Sequence, residues 1–69
     1  MTYKELLTYV GSRCEFRSNC EFFPNFHVIG KVESIDVERH EYFIKVKSEP
    51  TGKIIPISSN MLNLTIDKL

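Results

Sequence analysis

The sequence predicts a mostly β protein: a small five-stranded barrel preceded by one short α-helix. Three observations lead there. Five short segments alternate apolar and polar residues, the pattern of strands with one buried face. The longest of them, V-I-G-K-V-E-S-I-D over residues 28–36, carries Gly30 near its middle. Glycine inside a strand costs stability unless the strand bends or another backbone comes close, and a long strand bent there lets a small sheet curl over and close on itself. Finally, 69 residues of ordinary globular composition, 42% hydrophobic and 26% charged, make one domain spanning residues 1–69. A chain this size buries only about 60% of its unfolded surface, so the core is thin.

The elements follow in order. Thr2 and Glu5 have the spacing of a capping box, and Tyr3, Leu6, Leu7 and Val10 recur at helical spacing before Gly11. This predicts a helix over residues 3–10, too short to stand alone in water and placed as a lid on one open end of the barrel. Residues 13–17 set Cys14 and Phe16 on one face against Arg13, Glu15 and Arg17 on the other. Ser18-Asn19 reads as a turn, and an aromatic insert follows, broken by Pro24. The second strand runs over residues 26–36, with Val28 and Val32 facing one way and Ile29, Lys31 and Glu33 the other. Residues 37–41 form a polar hairpin loop. In the third strand, residues 42–47, Tyr42, Ile44 and Val46 point inward while Phe43, Lys45 and Lys47 point outward.

Glu49-Pro50-Thr51-Gly52 has good turn chemistry. The fourth strand covers residues 53–57, where Pro56 lacks an amide donor and marks an edge or the end of pairing. Ser58-Ser59-Asn60 reads as a tight turn, and Leu62, Leu64 and Ile66 alternate through a fifth strand. No linker or repeat interrupts the series.

Nine Lys and Arg balance nine Asp and Glu, giving zero net charge and a pI near 6.7. That argues against a domain holding nucleic acid by its overall field but leaves room for a local basic patch. No apolar run approaches the roughly 18 residues that span a membrane, and the N-terminus lacks a signal-peptide pattern, so the expectation is cytoplasmic with no membrane partner. Cys14 and Cys20 pair only if their Cα atoms come within about 7 Å; in a reducing compartment, free thiols are favoured.

Enzyme chemistry finds no support, and neither cofactor nor metal is expected. Cys14, Cys20, His27 and His40 are the soft ligands, separated by five, six and twelve residues. Neither a C-x-x-C nor an H-x-x-x-H pair is present. Gly11, Gly30 and Gly52 are isolated, so no phosphate-binding loop exists. Two surfaces remain. Lys31, Lys45 and Lys47 share the outward parity with Phe43, and basic surfaces with aromatics hold single strands by stacking, at roughly 1–3 kcal/mol per base. Against this, the lysines serve equally as solvated positions balanced by Glu33 and Glu49. The insert Phe22-Phe23-Pro24-Asn25-Phe26 is the other surface. Either Phe22 and Phe26 plug the second open end of the barrel, or at least one of the three phenylalanines is exposed as an interaction site.

The order of elements, the long bent second strand and the short connection between the last two strands resemble the Sm-like fold, the small SH3-type barrel of the Sm proteins and the RNA chaperone Hfq. Gly30-Lys31-Val32-Glu33-Ser34-Ile35-Asp36 is similar to the first Sm motif, and Ile57-Ser58-Ser59-Asn60-Met61-Leu62 falls where the second lies. The resemblance implies single-stranded RNA binding, with Lys31, Phe43, Lys45, Lys47 and Asn60 as contacts, and homo-oligomeric rings joining the fourth strand of one subunit to the fifth of the next. The chain departs from the pattern in carrying Ser58-Ser59 where Sm proteins have Arg-Gly, and Ile55-Pro56-Ile57 where Hfq carries a Tyr-Lys-His run nearby. Pro56 would weaken the ring-forming pairing.

The expectation for function is therefore a non-enzymatic binding module, a protein-interaction adaptor or inhibitor that meets another protein through Phe22, Phe23, Phe26 and Phe43. The alternative is an Sm-like single-stranded RNA-binding protein.

Overall fold

A computed structural model of the chain describes residues 2–19, 21 and 24–69. It holds one helix, α1 (Tyr3–Leu7), and five strands: β1 (Arg13–Ser18), β2 (Phe26–Glu38), β3 (Glu41–Ser48), β4 (Ile54–Ser58) and β5 (Thr65–Lys68). The strands form one antiparallel sheet in the order β4-β3-β2-β1-β5. Among the described residues β4 and β5 are its two edges and share no ladder, so the sheet is open. The α1 helix is not long enough to cross a membrane, and no other helix among the described residues is.

The capping box forms as the spacing predicts. The Thr2 hydroxyl accepts from the Glu5 amide at 3.2 Å, and the Glu5 carboxylate accepts from the Thr2 amide at 3.4 Å. The helix is nonetheless shorter than expected. Thr8 donates its hydroxyl to the Glu5 carbonyl at 2.6 Å, a local bond that competes with helical pairing. The amides of Tyr9 and Val10 then reach back three residues, to Leu6 and Leu7, tightening the chain toward Gly11, whose φ is +86°.

The β2 strand has 13 residues, a contour of about 40 Å at the usual rise. No principal dimension of the molecule exceeds 26 Å, so the strand must curve. Two features allow it. A Cβ on Gly30 would meet backbone of Lys47 and Ser48 on β3, so the two backbones approach as only glycine permits. A bulge then falls between Val32 and Ser34, leaving Glu33 without a counterpart on β3. The extra residue shifts the alternation by one, so that Val32 is buried and Ile35 also packs on the core.

The β2–β3 hairpin is tighter than the expected five-residue loop. Arg39 and His40 alone connect the strands, with φ of 48° and 74°, the positive pair of a type I′ turn. The last strand also differs, beginning at Thr65 rather than at residue 62. Met61 donates to the Ser58 carbonyl and Leu64 to that of Met61, winding residues 59–64 into turns, with Asn63 at φ 58°. Leu62 is consequently exposed, while Leu64 and Ile66 pack against the core.

The core comprises Leu6, Cys14, Phe16, Val32, Ile44, Val46 and Ile57, each side chain contributing roughly 1.5–3 kcal/mol by leaving water when aliphatic or aromatic. Tyr42 lies half-buried at its margin. Two buried serines are satisfied: Ser18 donates to the Leu62 carbonyl at 2.6 Å, and Ser48 pairs with Thr51 at 2.8 Å. Cys14 is a buried free thiol. Its burial pushes the thiol pKa up, against a smaller opposing effect of the Lys68 charge. Cys20 lies outside the described residues.

Candidate interaction surface

The outer face of the sheet collects the polar parity of every strand. On β1, Arg13, Glu15 and Arg17 stand opposite Lys31, Ile29 and His27 of β2. Lys31 then stands opposite Lys47 of β3, and Lys47 opposite Ile54 of β4. Arg13, Lys31 and Lys47 thus form a row of three cations across three strands. Like charges directly opposite one another disfavour pairing. Only Arg13 is compensated, by a two-pronged contact with Glu49 at 2.8 and 3.0 Å. The hydrogen bonds of that contact hold the Glu49 carboxyl below its ordinary range and raise the Arg13 pKa. Among the described residues, Lys31 and Lys47 have no carboxylate within ion-pair distance.

Beside this row the face is self-neutralised. His27 contacts Glu15 at 2.7 Å, Arg17 lies 3.7 Å from the same carboxylate, and Arg17 reaches Asp67 of β5 at 3.1 Å. Toward the hairpin tip, Lys45 sits 3.5 Å from Asp36. Phe43 is half-buried there, opposite Asp36 on one side and Ser58 on the other. The Ser58 hydroxyl donates to the Glu41 carboxylate and accepts from the Asn60 amide at 3.1 Å.

The predicted RNA contacts therefore assemble in part. Lys31, Lys45 and Lys47 share the outer face, Phe43 and Asn60 lie at its hairpin end, and Lys45 is already engaged by Asp36. Arg13, which parity alone did not single out, completes the cation row because the β1–β2 register sets it opposite Lys31. Of the predicted protein contacts, Phe22 and Phe23 lie outside the described residues. Phe26 opens β2 opposite Ser18 and packs partly on the core. Phe43 is ten positions along β2 from it by register, so the two rings belong to opposite ends of the strand.

A different apolar surface emerges on the other side. Tyr3, Leu7 and Val10 follow one another at helical spacing and are exposed. The Tyr3 ring lies 5.4 Å from that of Tyr42, and Tyr42 is the cross-strand partner of Val37, itself 59% exposed. Among the described residues, the inner face of the hairpin thus ends in exposed Val37 beside half-buried Tyr42, with Tyr3 against Tyr42 and exposed Leu7 one turn along α1.

In comparisons with known proteins, the chain matches no family model, no curated protein and no solved structure.

Proposed function

We propose that this chain is a non-enzymatic binding module that holds another protein, as a small adaptor or inhibitor. The observation that supports it most is the apolar surface left uncovered. Among the described residues, seven large hydrophobic side chains are exposed, as many as are fully buried in the core. Four residues, Tyr3, Leu7, Val37 and Tyr42, lie about the contact of Tyr3 with Tyr42, and contiguous exposed apolar patches mark interaction sites. Phe22 and Phe23 keep their place in the proposal as further contacts. Closure of the curled sheet as a barrel of SH3 or Sm type belongs to the same proposal, as does a cytoplasmic setting, with which the free Cys14 thiol accords.

The test is affinity capture from the source cells with wild type and with a Leu7→Ser, Val37→Ser variant whose folding is verified by circular dichroism. One discrete protein, retained at about 0.5 M salt where exposed charges are screened and lost with the variant, is the expected result. A captured nucleic acid that washes away in salt would overturn the reading.

A second reading rests on the Arg13–Lys31–Lys47 row. Two of its cations lack acidic partners among the described residues, which suits a polyanion such as single-stranded RNA. On that reading, affinity for oligouridylate falls by about one log-log unit per phosphate contacted as salt rises, and Lys31→Ala with Lys47→Ala removes about two units of slope.

A further inference from the structure

The two formal edges of the sheet are both blunted. On β4, the Ser59 amide donates to Tyr42 and the Ser48 amide to the Lys53 carbonyl, so odd-numbered residues face β3 and Ile54, Pro56 and Ser58 face away. Pro56 has no donor at the middle of that edge. On β5, Lys68 is the partner of buried Cys14 and so shares the inner face, with its ammonium 5.6 Å from the Tyr9 ring. Proline and inward-pointing charge are the devices by which edges avoid adding a strand.

A third edge lacks both. The Val32 amide donates to Ser12 on the β1 side, whereas the Ile29 carbonyl accepts from Glu49 on the β3 side. Odd residues of this half of β2 therefore face β3. The ladder with β3 begins only at Gly30 opposite Ser48, and after Glu49 the chain turns away. Among the described residues, the backbone of His27 faces that side with no strand partner beyond the last β3 contact. A groove of about 520 Å³ lies beside it, lined by Val28 and Ile29 of β2 and by Glu49, Thr51, Lys53 and Ile55 across from them. The Glu49 carboxylate in its lining is engaged by Arg13, and His27 is itself in contact with Glu15. Lys53 has no acidic partner among the described residues.

We infer that this flank of β2 is a strand-addition site for an extended, acidic segment of a partner protein. The segment's backbone pairs with His27, one of its apolar side chains rests on Ile29 on the outer face, and a carboxylate on the other face meets Lys53. Main-chain bonds supply affinity and alternate side chains supply selection in this mode of recognition. The inference rests on the protein-binding reading and adds to it the place and the chemistry of the partner.

The experiment titrates the full chain with the blocked peptide Ac-Thr-Val-Glu-Val-Thr-Val-amide, up to roughly 1 mM, following backbone amides by NMR; a Kd of that size is half-saturated there. A counterpart peptide carrying Lys in place of Glu, and oligouridylate, are titrated in parallel. The expected result is that the acidic peptide shifts the amides of His27, Ile29 and Lys53 and protects His27 from hydrogen exchange. His27→Pro removes a donor on the open flank without touching the β1 ladder, and lowers affinity about five- to tenfold. Lys53→Glu reverses the preference between the two peptides. Peptide-induced shifts confined to residues 54–58 or 65–68 would overturn the site and leave the protein-binding reading standing. No peptide response together with shifts at Lys31 and Lys47 on adding oligouridylate would overturn both. Equal affinity for the two peptides would remove Lys53 from the proposal and with it the acidic partner.

Discussion

A Cβ placed on Gly30 would stand 2.2 Å from the carbonyl oxygen of Lys47. The neighbour is backbone in the middle of a ladder, so it cannot swing aside as a flexible side chain would. Gly30→Ala is therefore expected to cost about 1–3 kcal/mol or more, the range of overpacking. Gly52 provides the contrast. It has φ +74° but nothing nearer a new Cβ than 3.9 Å, so Gly52→Ala carries only the left-handed backbone penalty of about 1–2 kcal/mol. Urea midpoints of the two variants read the order directly. Equal midpoints would mean that β3 gives way at Gly30.

Acid should loosen the contact between Arg13 and Glu49. The Glu49 carboxyl is held low chiefly by its hydrogen bonds to Arg13, so its folded pKa lies beneath an unfolded value of about 4.3. The contribution is present above that unfolded value and is lost as pH falls through the folded one. Both groups are exposed, so the effect is small. Between about pH 5 and pH 3, the urea midpoint of wild type should fall more steeply than that of Glu49→Gln. Parallel curves would show that the pair contributes nothing.

The Cys14 thiol should be inert while the protein is folded. It is buried and its pKa is raised, and it is the thiolate that reacts. In a Cys20→Ser variant, where Cys14 is the remaining thiol, labelling by a disulfide reagent should follow the urea unfolding transition. Rapid labelling in native buffer would place Cys14 at the surface.

Replacing Arg39-His40 by Asn-Gly should raise stability by about 1 kcal/mol, because both positions have positive φ and the penalty for ordinary residues there is of that order. The check is the thermal midpoint of the double variant. An unchanged or lower midpoint would indicate that these two side chains stabilise the turn by contacts of their own.

That turn also shows where the sequence was hard to read. The hairpin is legible, but Arg-His carries none of the Asn-Gly signal of a two-residue connection, so the polar run predicts a wider loop. Local chemistry was easier. Thr2 with Glu5 fixed the helix start, Pro56 marked an edge strand, and alternation found the buried faces of β1 and β3. Long-range geometry left no such trace. Nothing in the composition around Glu33 announces a bulge, and Leu62 alternates like a strand residue although three-residue hydrogen bonds wind its neighbours into turns and Ser18 of β1 holds its carbonyl. At the surface, parity grouped Lys31, Lys45 and Lys47 correctly. Adding Arg13, or seeing that His27 faces the flank beyond the β3 ladder, required the register of β1 and the point where β3 ends.

Glu33 acts on the far half of the hairpin as an inserted letter acts on a reading frame. The bulge takes it out of the count, because strict alternation through Glu33 would turn Ile35 and Val37 toward the lysines and Asp36 toward the core. A deletion of Glu33 would therefore straighten the ladder and keep every side chain from Ser34 onward on its present face, removing only the local bend. The chain at this point encodes orientation by count as well as by composition, and the effect of a length change there is set by whether a bulge absorbs it.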